Sequence, residues 1–197
     1  FPRYLISAEE EVLDSINNDA LSIVVWKRPL PRGLHSGLAR WAAQNPPRFE
    51  ARVKDPSWVE SALEHFSSSP AQLLLAADMR SLVGRFQRLA GSQTVKISFG
   101  VVRGDQCRKF HADYQRLRLI TTYLGPGTEW LPEHAVRREA LIEPPACPNA
   151  ANQLIVRQPH LVQRAQAGDV LILRGRDGVS GDALAAVHRS PPIEANR

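Results

Sequence analysis

The spacing of apolar positions changes character near residue 95. Before it, apolar side chains recur at helical intervals. Val12, Leu13 and Ile16 follow Ser7-Ala8-Glu9-Glu10, a capping box in which hydroxyl and carboxylate satisfy each other's orphan backbone donors, and this predicts a helix over 8–17. The β-branched run Leu21–Lys27 predicts a strand that stops at Pro29 and Pro31. Leu34, Leu38 and Trp41 share a helical face that Pro46-Pro47 terminates. Asp55-Pro56 has the chemistry of an N-cap and first helical residue, with Trp58, Val59, Ala62, Leu63 and Phe66 as the buried stripe behind it. Ser69-Pro70 opens the longest helix and Gly91 closes it, with Leu75, Met79, Leu82, Phe86 and Leu89 at helical spacing.

From Val95 the period shortens. Val95–Val102 reads as a strand ending at Gly104-Asp105, and Cys107–Asp113 and Arg116–Leu124 follow as strands before the Gly125-Pro126-Gly127 turn. Residues 132–151 are irregular, and Gln153–Arg157, Gly168–Gly175 and Ala185–Arg189 supply three more short strands. About six strands with little helix between them predict an antiparallel sandwich or jelly roll. The expected class is therefore α+β: a helical support region over 1–94 packed on the core, then a jelly-roll region over 95–197.

Composition narrows the field. The 197 residues suit one domain with a helical extension, and the hydrophobic and charged fractions, 43% and 23%, are those of a soluble globular chain. No apolar run approaches the roughly 18 residues that cross a bilayer, and no signal-peptide pattern is present, so no membrane association is expected. Cys107 and Cys147 lack CxxC spacing, which argues against a zinc finger or disulfide scaffold and suits a reducing cytoplasm. A pI near 9.7 raises the question of nucleic acid. Residues 1–94 carry 11 basic and 10 acidic side chains, and 95–197 carry 14 and 10, with no run of like charge. Dispersed arginines favour a solvated surface, leaving an anionic small ligand or RNA as partners, and nucleic acid as a lesser expectation.

The chemistry gathers in Cys107–Trp130. In His111-Ala112-Asp113 an imidazole and a carboxylate stand two apart on an expected strand, hence on one face and roughly 7 Å apart along it. With His188, which lies beyond the apolar strand Gly168–Gly175, they make up the 2-His-1-carboxylate set that binds non-haem Fe(II) and leaves positions open. Phe110 and Tyr114 would wall the ion from water. Alternation places Cys107 on the face of His111, either as an extra soft ligand favouring zinc or as a small core residue. Thr128, Glu129 and Trp130 project after the Gly-Pro-Gly turn, as a wall of the site's mouth or as a tight turn whose Trp plugs the core. His35 and His65 have no partner at ligand spacing, and His134 and His160 read as surface residues in loop-like segments.

CRKFHADYQRLRLITTYLGPGTEW and HRSPP resemble the hallmark stretches of a bacterial family known only as a domain of unknown function, over nearly the whole chain. His-x-Asp, a later Gly-Asp-Val strand and a distal His-Arg-Ser also resemble the double-stranded β-helix oxygenases that use Fe(II) and 2-oxoglutarate. That resemblance makes His111, Asp113 and His188 the metal ligands and catalytic centre. It implies a guanidinium for the cosubstrate's far carboxylate, from Arg118, Arg189 or Arg197, with Tyr123 beside it and Tyr114, Glu129 and Trp130 toward the substrate. The implied activity is hydroxylation by a metal-dependent oxygenase. A cupin-like zinc protein without redox chemistry and a nucleic-acid-binding module are the alternatives. Substrate, metal identity and oligomeric state are not specified by these residues.

Overall fold

The computed structural model describes residues 3–63, 70–104, 107–178 and 185–192. In chain order the elements are β1 (Tyr4–Ser7), a 3-10 helix (Glu10–Asn17), β2 (Ile23–Trp26), α1 (Leu34–Ala43), β3 (Phe49–Val53), α2 (Trp58–Ala62), α3 (Pro70–Ala90), β4 (Val95–Phe99), β5 (Leu117–Thr121), β6 (Glu129–Leu131), α4 (Pro148–Ile155), β7 (Gln163–Arg164), β8 (Val170–Arg174) and β9 (Val187–Arg189). The architecture is mixed α+β with three small sheets. Residues 1–29 with 103–197 form one compact unit, and residues 30–102 form another.

In the first unit β8, Val-Leu-Ile-Leu-Arg, is buried at every position. The reason is its place in the sheet order β1-β2-β8-β5, with β2 and β5 both pairing it antiparallel. A strand flanked on both edges and covered on both faces takes a continuous apolar run rather than an alternating one. β1 runs parallel to β2. Their connection is the 3-10 helix, which buries Val12, Leu13 and Ile16. Ser7 Oγ accepts a hydrogen bond from Glu9 N at 3.0 Å ahead of that helix. Arg174 ends β8 with its guanidinium buried, donating to the carbonyls of Leu21 at 3.0 Å, Gly178 at 3.2 Å, and Ile16. The bond to Ile16 satisfies a carbonyl that the helix end leaves without a partner.

The second sheet of this unit has the order β7-β6-β9. Glu129 faces Arg164 on one side and Arg189 on the other. α4 lays Ala151 and Ile155 against Phe110, Leu131, Ala135, Val136 and Val187.

In the unit formed by residues 30–102, α1 approaches α3 closely at Gly37. A Cβ there would lie 2.1 Å from the Ala71 Cβ, so only glycine permits the contact. α3 ends, as its sequence predicts, with Gly91 at φ +59 in the left-handed region. β3 and β4 pair antiparallel as a two-stranded sheet. Trp41, on α1, stacks on Phe99 with ring centroids 5.2 Å apart, and Phe49 meets both Phe99 and Trp58.

Several expectations are corrected here. No closed barrel or jelly roll is displayed among the described residues, because the strands are two to five residues long and fall into three separate sheets. Gln153–Arg157 is not a strand. Pro148 starts α4, which runs through Ile155 and leaves only Val156 in a bridge, to Val136. Cys107–Asp113 is not a strand either, and His111 alone makes a bridge, to His188. β1, β3 and β6 were not anticipated: each is short, and β6 is buried throughout, so neither alternation nor length marks it. Trp58 is 37% exposed rather than part of a buried stripe, while Val59 and Leu63 are buried. His65 and Phe66 lie outside the described residues.

Candidate metal centre

His111 and His188 are direct cross-strand neighbours. The His111 N–H donates to the His188 carbonyl and the His188 N–H to the His111 carbonyl, both at 3.0 Å. This reciprocal pair brings together two residues far apart in sequence and places their ring centroids 4.6 Å apart. Asp113 reaches the same space by a different route from the one expected. Asp113 stands two residues beyond the His111 bridge, and the bend of the chain follows it at residues 114–116. His111 Nε2 stands 3.6 Å from Asp113 Oδ1, and His188 Nε2 stands 3.5 Å from Asp113 Oδ2. One ligand atom from each of the three lies within 4.8 Å of the others, a group that can hold a metal ion.

The rings are oriented for this. His111 Nδ1 faces the Lys109 carbonyl at 2.9 Å, and His188 Nδ1 faces the Ala186 carbonyl at a longer 3.5 Å. A carbonyl only accepts, so each Nδ1 carries a proton and each Nε2 is the atom turned to the shared space. Adjacent donors on an ion at about 2.1 Å would stand about 3 Å apart, whereas these span up to 4.8 Å, so binding an ion draws the three side chains inward.

Electrostatics favour the deprotonated form of two of the three groups, Asp113 and His188. Burial works to raise the Asp113 carboxyl. The hydrogen bond from His111 and the charges of His188 and Arg118 outweigh it and hold the group well below the ordinary carboxylate range. His188, almost wholly buried, is pushed down to about 4, first by burial and then by the neighbouring His111 charge. His111 is raised instead, chiefly by its hydrogen bond to Asp113, with burial opposing. In the neutral range the buried imidazole is therefore ready to bind, and His111 is where a proton competes with a cation.

Two supports around the site were not read from the sequence. Asn152, on α4, accepts from the Phe110 N–H through Oδ1 and donates from Nδ2 to the Arg108 carbonyl, both at 2.9 Å. It clamps the segment entering His111 as a neighbouring strand would. Behind Asp113, the Arg176 N–H donates to the Asp113 carbonyl at 2.8 Å and the Gly175 N–H to the Arg116 carbonyl at 3.0 Å. A Cβ at Gly175 would lie 1.9 Å from the Gln115 oxygen, so this close backbone passage requires glycine. The signal was present in Gly175-Arg176-Asp177-Gly178, since a glycine ending an apolar strand marks close backbone approach. Asn152 had no signal, because the segment beside it reads as a strand.

The other sequence-predicted site residues are distributed as follows. Arg118, on β5, is at the site: its Nη1 lies 3.2 and 3.0 Å from the two Asp113 oxygens. Arg189 Nε donates to Glu129 at 2.7 Å, and its guanidinium lies over the Phe110 ring. Arg197 falls outside the described residues. Tyr123 is buried. Tyr114 is 71% exposed beneath the Arg176 guanidinium. Glu129 is buried between Arg164 and Arg189. Trp130 is buried with Ile23, Val25, Leu171 and Leu173, packed edge-on against Tyr4, which is the core-plug arrangement. Cys107 is exposed at φ +55 and stands outside the ligand group. His35, His134 and His160 are exposed.

A family model described as "Protein of unknown function (DUF1826)" matches residues 7–197. No curated protein and no solved structure matches the chain.

Proposed function

The chain belongs to the DUF1826 family, whose description names no reaction, and from that premise we propose that His111, Asp113 and His188 form the metal centre of an oxygenase of the Fe(II)/2-oxoglutarate type. One observation carries the reading: two imidazole Nε2 atoms and one carboxylate converge on a single space, with the opposite nitrogen of each ring turned to a backbone carbonyl. Two neutral imidazoles and one carboxylate leave a bound divalent cation with open positions.

β5 pairs β8 in one sheet, β6 lies between β7 and β9 in another, and His111 joins His188 beyond β9. Bound Fe(II) would supply dioxygen activation coupled to decarboxylation of 2-oxoglutarate, giving succinate, carbon dioxide and a hydroxylated substrate. The chain's own residues do the rest. Asp113 and the two Nε2 atoms hold the ion. Burial of His188 keeps its imidazole neutral, and Arg118 places a guanidinium beside the carboxylate, where it suits an anionic cosubstrate. Arg189 is likewise paired with a carboxylate, that of Glu129.

The test is anaerobic loading with Fe(II), then succinate release from 2-oxoglutarate in air, for the wild type and His188→Ala. We expect one ion per chain and 2-oxoglutarate-dependent turnover, both lost in the variant. Stoichiometric metal without cosubstrate binding would leave a non-redox metal protein. Absence of metal would remove the centre altogether.

A further inference from the structure

The chain's basicity is concentrated in one structural unit. Residues 30–102 hold 9 Lys and Arg against 5 Asp and Glu, whereas the remaining residues hold 16 against 15. Nearly all of the net charge of +5 thus belongs to the unit that lacks the His-Asp-His centre.

Within that unit the excess surfaces on the β3–β4 sheet. Phe49, Ala51 and Val53 alternate with exposed Glu50, Arg52 and Lys54, and Val95, Ile97 and Phe99 alternate with exposed Lys96 and Ser98. The aromatic side packs on Trp41 and Trp58, which leaves the opposite face to solvent. Arg48 adjoins it, 2.8 Å from Ser98 Oγ. Glu50 is the single acid on this face, taking Lys96 at 2.8 Å and Arg48 at 3.1 Å. Arg52 stands directly across the ladder from Lys96. Like charges opposed across strands are destabilising, so an oppositely charged or neutral pair would serve folding better. The side chains of Arg52 and Lys54 enter no ion pair with a described residue.

We propose that the outer face of the β3–β4 ribbon binds double-stranded DNA through its phosphates. A two-stranded ribbon fits the B-form major groove, whereas the A-form major groove of RNA is too deep and narrow to admit one. Arg52 and Lys96 face each other across the ladder, with Arg48 and Lys54 flanking β3 and Glu50 interrupting the cations. Arg48, Arg52, Lys54 and Lys96, offset by Glu50, give a net of three phosphates neutralised.

The experiment is fluorescence anisotropy of a short fluorescein-labelled DNA duplex with the full chain, over roughly 50 to 200 mM salt. The expected slope of log affinity against log salt is about −3, falling to about −1 in R52A/K96A. Both positions are exposed, and R52K/K96R keeps the charges, so that variant should retain the wild-type slope. His188→Ala should bind DNA like the wild type, separating this inference from the metal reading. Undetectable binding at low salt, or a slope unchanged in R52A/K96A, would overturn it. So would preference for duplex RNA or for phosphatidylserine-containing phosphatidylcholine vesicles over the DNA duplex.

Discussion

At the scale of single residues, the opposite shifts of two adjacent histidines set the pH behaviour. The fold holds His188 neutral, its pKa pushed from 6.5 down to about 4, so it favours the folded state above 6.5 and loses that advantage as pH falls toward 4. The full effect is about 3 kcal/mol. His111, raised, contributes stability that is complete below 6.5 and is lost only as pH rises through its folded value. Asp113, depressed, contributes stability present above 3.8 and lost in stronger acid. Between pH 6.5 and 4 the His188 effect therefore dominates. Urea unfolding of chelator-treated protein should show a midpoint that declines over this window in the wild type and stays level in His188→Gln. A wild-type midpoint that rises on acidification would refute the assignment.

At the scale of elements, the site depends on neighbours that carry no ligand. Asn152 gives the 108–110 segment hydrogen bonds that a strand partner would otherwise supply. Asn152→Ala leaves the Phe110 N–H without that acceptor, a loss of about 1–3 kcal/mol. We expect a lower unfolding midpoint and metal affinity reduced by roughly tenfold, as for other outer-sphere supports, read by metal titration in the wild type and variant. Unchanged affinity would mean that His111 is set by its His188 bridge alone. This element also shows what the sequence conveys. The long helix was legible because Pro70, Gly91 and the stripe between them act locally. The ligand triad was legible because His111, Asp113 and His188 are rare chemical types in a suggestive order. α4 was not, since Gln153–Arg157 is apolar and β-branched enough to read as a strand, while Pro148 and tertiary packing of Ala151 and Ile155 decide for helix. Nor was β6, three buried residues whose pairing is fixed by strands distant in sequence. The bend at 114–116 was not legible for the same reason: backbone bonds from residues 175–177 hold it, and no local pattern encodes them.

At the scale of the whole molecule, the two compact units divide the chemistry, with the ligand triad in one and the charge excess in the other. A cation that binds only the assembled triad stabilises the unit carrying it, by about 2.7 kcal/mol at a hundredfold excess over Kd. Calorimetry should show a transition rising by several degrees on adding Fe(II) or Zn(II), reversed by chelator and absent in His188→Ala. An unshifted transition with saturating metal would show that the triad binds no ion in the folded state. The reciprocal backbone bonds between His111 and His188 extend this reasoning to biosynthesis. During translation the first histidine and the aspartate emerge while the second histidine is still unmade, so a nascent chain offers only a fragment of the cage. An ion held by all three would then be captured only after the second histidine is made, so metal loading would be a late event in maturation and prematurely terminated chains would lack it.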